Sequence, residues 1–264
     1  MLKDITLGQY FPTGSLLHRL DARLKIVLVF ALIFVTFITK GALAFAMLFA
    51  FIIIIALLSK VPLSLYIKSL RPMVFLIVLT GVLNLFVTPG EVVWSLWFLS
   101  VTREGLILAG YMFCRIVLLI VTSSILTYTT SPIQLTTAIE HLLRPLRIFR
   151  FPCHEVALMM TIALRFIPTL LEETEKIMKA QQARGADFSS GNLIRRARAM
   201  IPILVPLFIG SFRRADELAI AMEARCYCGG EGRTSLNILK FGRQDLVAAV
   251  ICVGVIGLIV GIKA

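Results

Sequence analysis

The sequence predicts an all-α, polytopic membrane protein with about five membrane-crossing helices. Three observations carry this. Of the 264 residues, 58% are hydrophobic, and they gather into runs near the length of a bilayer crossing. Basic residues collect in alternate connections between those runs. A long segment, residues 131–243, holds 16 of the 27 Lys and Arg residues and has the pattern of amphipathic helices.

Residues 1–25 form a polar, turn-rich start with Lys3, Gly8, Pro12, Gly14, Arg19, Arg23 and Lys25. Ile26–Thr39 is the first apolar run. At 1.5 Å per residue it covers about 21 Å, so flanking residues or a thinned bilayer must complete the crossing. Lys40 and Gly41 form a break before the second span, Ala42–Leu58. A basic loop with Lys60, Lys68 and Arg71 follows, with Pro62 a helix start. Pro72–Thr88 is the third span, Pro89–Glu104 a loop and Gly105–Thr130 the fourth span. Leu246–Ile262 is the last. A cleavable signal is the poorer reading of the start, because apolar character resumes at once after Ala42-Leu43-Ala44.

Positive charge sets the orientation. The N-terminal segment, the 60–71 loop and the 131–243 segment are basic, whereas the turn at Lys40 and the 89–104 loop are not. The expected topology has the N-terminus in the cytoplasm and the C-terminus outside. The expected domains are residues 1–130, a cytoplasmic coupling domain of residues 131–243, and a C-terminal membrane helix in residues 244–264.

The central segment divides into three helices. Ser131-Pro132 reads as an N-cap with proline at the first helical position, opening a helix to about Leu143. The second runs from Pro152 to Arg184 and stops at Gly185, with a kink at Pro168. The third starts near Asn192, has candidate breaks at Pro202 and Pro206, and ends near Arg225. Glu172/Lys176, Glu175/Lys179 and Arg213/Glu217 are spaced as ion pairs along one helix. Ala180 and Ala183, with Ala215, Ala219, Ala221 and Ala224, suggest a close helix crossing. Ala183-Arg184-Gly185 and Ala224-Arg225-Cys226 thus close two successive helices with the same Ala-Arg pair. An arginine at a helix end is favoured by the helix dipole, by about 0.3–1 kcal/mol. Two such slim, charged tips also suit grooves on a partner protein, because the guanidinium offers a planar fork of donors.

At these residues the sequence resembles the transmembrane component of energy-coupling factor transporters, the EcfT/CbiQ-like family. The likeness covers nearly the whole chain: Leu17–Lys25 before the first span, Ala163-Leu164-Arg165-Phe166-Ile167-Pro168, and the two triplets. Further matches are Arg214–Ala219 and Gly229-Gly230 with Arg233-Thr234. Cys226 departs from the glycine of the family pattern, which predicts a different ending for the second tip. The resemblance implies a non-catalytic subunit in the plasma membrane of a prokaryote, with three cytoplasmic coupling helices and no cofactor. Its partners would be two ABC-type ATPases, docked through Arg184 and Arg225, and a membrane-embedded substrate-binding S component. The transport would be of a vitamin or metal ion.

The residues exclude other classes. The +12 charge belongs to loops facing an anionic leaflet, and no aromatic-basic platform for nucleic acid accompanies it. There is no phosphate loop. The five cysteines lack the spacing of a zinc site. His18, His141 and His154 do not cluster, and no span contains a histidine, against a metal site or an intramembrane metalloprotease. Arg115, deep in the fourth span, is a candidate functional charge, and Asn84 a candidate interhelical hydrogen bond. Gly254, Gly257 and Gly261 read as a close-packing stripe, facing the protein's own helices in preference to a partner. The alternative function is a permease that itself binds and conducts substrate. Such a protein needs polar groups near the midplane, and Arg115 and Asn84 are nearly the only ones.

Overall fold

The structure, a computed structural model, describes residues 10–39, 41–96, 99–149, 152–188, 192–229 and 241–261. The features expected at Lys3, Gly8, Lys40, Gly230, Arg233, Thr234 and Ile262 lie outside these residues. The helices are α1 (Leu16–Arg19), α2 (Ala22–Ile38), α3 (Ala42–Leu58), α4 (Leu63–Leu70), α5 (Val74–Val87), α6 (Arg103–Thr129), α7 (Pro132–Leu143), α8 (Cys153–Ala183), α9 (Leu193–Glu223) and α10 (Arg243–Gly261). The fold is that of an all-α polytopic membrane protein. Among the described residues, four stretches are by length and composition apolar enough to cross a membrane: Leu63–Val87, Arg103–Thr129, Cys153–Ala183 and Arg243–Gly261. Helices α2 and α3 have 17 residues each, about 26 Å of rise against a hydrocarbon core of about 30 Å.

Backbone contacts divide the chain into two compact units, one of Gly8–Ala138 with Leu239–Ala264 and one containing Ile139–Ile238. In the first, α6 packs against α2, α3, α4 and α5, and α10 against α2 and α3. The helix α6 buries Leu118, Thr122, Ile125 and Thr129, spaced three or four apart on one face. The matching face of α3 is Ala44, Leu48, Ile52 and Ala56. Large residues on the other faces, such as Phe34 and Phe75, are exposed, as suits helices solvated by lipid. Tyr66 and Tyr128 meet edge to face at 5.5 Å, and Tyr128 Oη donates to Leu65 O at 3.1 Å.

The N-terminal segment ties the helix ends of this unit together. Phe11 N donates to Tyr128 O at 3.0 Å, and Thr13 Oγ1 to Ser59 O at 2.9 Å. His18 Nε2 donates to Phe11 O at 2.8 Å, so Nδ1 accepts from Ser15 Oγ at 2.7 Å. Below this clamp three charged side chains are buried: Asp21, Lys25 and Asp245. Asp21 caps α2 by accepting from Arg23 N at 2.8 Å. Its own N–H donates to Asp245 Oδ1 at 2.7 Å, and Asp245 Oδ2 accepts from Gly242 N at 2.7 Å at the start of α10. Lys25 Nζ donates to Thr129 O at 2.9 Å, on the last turn of α6. At the opposite end of α2, Arg115 Nη2 of α6 donates to Thr39 O at 3.3 Å. The helices α2 and α6 therefore lie antiparallel, and each carries a cation that caps the last carbonyls of the other. Fourteen residues separate the two contacts on either helix.

Several expectations are corrected. Residues 60–71 are not an open loop: α4 continues through a 3-10 turn at Arg71–Met73 into α5. That turn accommodates Pro72, whose missing N–H would break a regular ladder. The 89–104 loop contains a two-stranded antiparallel hairpin, β1 (Val92–Leu96) and β2 (Leu99–Thr102). Asn84 does not reach another helix, because its Nδ2 donates to Thr80 O one turn back, at 2.8 Å. Gly254, Gly257 and Gly261 are exposed, and a β-carbon on any of them would meet nothing within 4 Å, so among the described residues the stripe packs against no other helix.

Replacing Lys25 by Met should lower stability by about 2–3 kcal/mol, because the buried carboxylates and the end of α6 lose their charged partner. Arg115→Met should cost less, about 1–2 kcal/mol, since its contact is half-buried. Thermal unfolding of the detergent-solubilised protein measures both, and equal small losses would contradict the ranking.

Candidate functional site

The second unit is built on α8 and α9, which pack against each other. The preceding helix, α7, opens as the sequence suggests: Gln134 N donates to Ser131 Oγ at 3.3 Å and Ser131 N to Gln134 Oε1 at 3.4 Å, a reciprocal capping box. Glu140 of α7 accepts from or donates to His154 Nδ1 of α8 at 3.0 Å, according to protonation.

The candidate ion pairs along α8 and α9 do not form. Glu173, between the two acids considered, instead contacts Arg214 of α9 at 2.5 Å. Gly210, one turn before Arg214, lets the helices meet there: a β-carbon on it would lie 3.0 Å from Glu173 Oε1. The alanines expected at the crossing, Ala180, Ala183, Ala215, Ala219, Ala221 and Ala224, are exposed. Both Pro202 and Pro206 sit inside α9, and Pro168 inside α8, without ending either helix.

Both arginine tips end in the same way. In α8, Gly185 N donates to Gln182 O at 2.9 Å and Ala186 N to Gln181 O at 3.0 Å, with Gly185 at φ +86°. In α9, Cys226 N donates to Glu223 O at 2.8 Å and Tyr227 N to Met222 O at 3.0 Å, with Cys226 at φ +55°. These are two Schellman caps with the same pair of backbone bonds. The second tip was expected to differ, because cysteine tolerates positive φ poorly. It does not differ: the two cap bonds hold Cys226 in the left-handed region at a cost of roughly 1–2 kcal/mol. Arg184 and Arg225 each precede the left-handed residue, and both are exposed. Each lies eleven residues beyond its helix's partner in the Glu173–Arg214 contact, roughly 16 Å of helical rise.

Comparison with known proteins places this pair of tips in context. Residues 13–236 match the family model CbiQ, cobalt transport protein. The chain belongs to this family. Curated relatives extend the match to nearly the full length. The energy-coupling factor transporter transmembrane protein EcfT of Acidaminococcus fermentans is 54% identical over 251 residues, covering 95% of this chain and 94% of that protein. The protein of the same name from Ruminiclostridium cellulolyticum is 53% identical over 253 residues, covering 96% and 95%. That of Lactococcus lactis subsp. cremoris is 44% identical over 250 residues, covering 94% of each. Membership of the CbiQ family makes this chain a transmembrane component of the energy-coupling factor transporter type.

Arg115 lies in the other unit. It is half-buried and bonds Thr39 O, with its Nη1 3.9 Å from Met112 Sδ. Its visible work is to cap α2. Sequence reasoning named Lys25 only as a basic residue flanking the first span and gave Asp21 and Asp245 no role. The signal lay within Leu17–Lys25, a stretch singled out for its likeness to the CbiQ family and not for its charges. Asp245, 224 residues from Asp21, gives no local sign of the contact. Among the described residues, no group of three or more His, Cys, Asp or Glu side chains could hold a metal ion.

Cys226→Gly should relieve about 1 kcal/mol of left-handed strain, and Gly185→Ala should add a similar amount. Hydrogen exchange at the Tyr227 and Ala186 amides reads each change at its own cap. A double-mutant cycle on Glu173→Ala and Arg214→Ala should give a coupling of about 0.5–1 kcal/mol in thermal unfolding, as for a partly exposed ion pair.

Proposed function

We propose that this chain is the scaffold and energy-coupling subunit of an importer. In this reading Arg184 and Arg225 dock two ABC-type ATPases, one each. The membrane helices hold a substrate-binding S component for a vitamin or metal ion. ATP hydrolysis takes place on the partner ATPases, and this chain performs no catalysis. Residues 131–243 form the cytoplasmic coupling domain between the membrane helices of 1–130 and the C-terminal helix of 244–264. The N-terminus is cytoplasmic and the C-terminus extracellular.

The observation that carries the reading is the duplication of the helix end. Ala183-Arg184-Gly185 and Ala224-Arg225-Cys226 share sequence, cap bonds and exposure. Most of the last carbonyls of both helices, Ala180, Gln181 and Gln182 in α8 and Ile220, Met222 and Glu223 in α9, accept from backbone amides, so neither arginine side chain makes the cap. A strained cysteine held in the glycine conformation is consistent with a tip whose shape is under demand. The relatives' names, energy-coupling factor transporter transmembrane protein, support the same assignment. Against the permease alternative, Arg115 and Asn84 are each bonded to backbone of this chain, leaving few polar groups to meet a substrate at the midplane.

The chain should co-purify with two ATPase subunits and an S component. Arg184→Ala with Arg225→Ala should cut uptake at least tenfold while the protein still inserts, consistent with loss of two charge-assisted contacts of about 1.5–3 kcal/mol each. Unchanged uptake by the double variant in reconstituted vesicles would refute the docking role. Substrate binding by this chain alone would favour the permease.

A further inference from the structure

A cavity of about 430 Å³ opens among α2, α3, α6 and α10 of the first unit. Its wall is aliphatic, including Val29, Leu32, Ile52, Ile125, Val247 and Ile251. Apart from Thr122, the polar lining residues gather at one end. There Lys25 and Thr129 line the wall, with Arg243 and Gln244 at the first turn of α10. Lys25 is already bonded to Thr129 O, but Arg243 is exposed. An adjoining cavity shares Leu16 and Leu58 with the first and is lined by Arg19 and Lys60, both exposed. Neither lining contains an acidic residue. The nearby carboxylates, Asp21 and Asp245, are buried and bound to backbone amides.

The dimensions choose between occupants. Along α10 the wall runs from Arg243 to Cys252, about 13 Å of rise. Spread over that depth and widened to the lining atoms, the volume corresponds to a channel roughly 9 Å across, whereas a helix with its side chains is about 10–12 Å wide. A hydrocarbon chain fits that width with less displacement of the walls than a helix would need. The cationic rim adds the second condition, because Lys and Arg at a membrane surface attract anionic lipid headgroups.

We propose that this cavity holds an acyl chain of one anionic glycerophospholipid, whose phosphate sits at the rim formed by Arg19, Lys60 and Arg243. The lipid is then a bound component that fills the gap between α10 and the α2–α3 pair. It belongs to the membrane face that carries the N-terminal clamp, whichever way that face is oriented.

Native mass spectrometry of the full-length protein, purified in a neutral detergent, tests this. Phosphatidylglycerol should be retained about tenfold over phosphatidylcholine, in keeping with rim cations each contributing to headgroup attraction. Adding it should raise the thermal midpoint by several degrees, while inorganic phosphate should not. Ala248→Phe, which fills the apolar wall, should abolish retention of both lipids. If that variant fails to fold, Arg19→Gln with Lys60→Gln and Arg243→Gln serves instead, and should remove the preference for phosphatidylglycerol. Equal retention of the two lipids, equal stabilisation by phosphate alone, or unchanged retention in a folded variant would overturn the proposal. Because the readout is lipid bound to this chain, it is independent of whether Arg184 and Arg225 dock ATPases.

Discussion

Two cations hold the membrane unit in register. Lys25 of α2 reaches the end of α6, and Arg115 of α6 reaches the end of α2. Each places positive charge on the negative pole of a helix and satisfies a carbonyl that the helix cannot bond itself. The acidic partners follow the same electrostatics at the other poles. Asp21 sits at the N-terminus of α2, and Asp245 in the first turn of α10, where carboxylates are favoured. A buried ammonium alone would be costly, as would two buried carboxylates. Together, and with backbone groups bonding Lys25, Asp245 and one oxygen of Asp21, they tie the N-terminal segment to three helix ends. Sliding α2 along α6 would break both contacts at once, since they share the same spacing.

Much of this was legible in the sequence wherever a local rule applies. The helix ends at Ser131-Pro132 and Gly185 fall where capping chemistry puts them, within a residue or two. The apolar runs became helices. What could not be read was which face each apolar helix buries. The helix α3, Ala42–Leu58, is apolar on every side, so hydropathy gives no period to follow; the core face of Leu48 and Ile52 is chosen by the neighbours it meets. The same holds for the Gly254–Gly261 stripe, where small residues announce a close approach but do not say to what. The contact between Asp21 and Asp245 joins the two ends of the chain and has no local signature.

The central helices show where propensity yields to packing. Pro202 and Pro206 are helix breakers by rule, yet α9 passes through both. A helix packed against another can tolerate a lost backbone bond that an isolated one cannot. Cys226 is the converse: a residue that resists the left-handed region occupies it because two backbone bonds close around it. The ion-pair spacing along α8 was likewise a sound local rule overtaken by geometry, since the neighbouring helix brought Arg214 within reach of Glu173.

The equal distance from the Glu173–Arg214 contact to each arginine gives α8 and α9 the form of a balanced lever. Gly210 brings the two rods together at the fulcrum, and the Schellman caps keep their far ends from fraying, so a push on one tip is carried along helix and not absorbed by unwinding. Arms of matched length have matched mechanical advantage. Equal loads at Arg184 and Arg225 would therefore be felt at the fulcrum with the same strength.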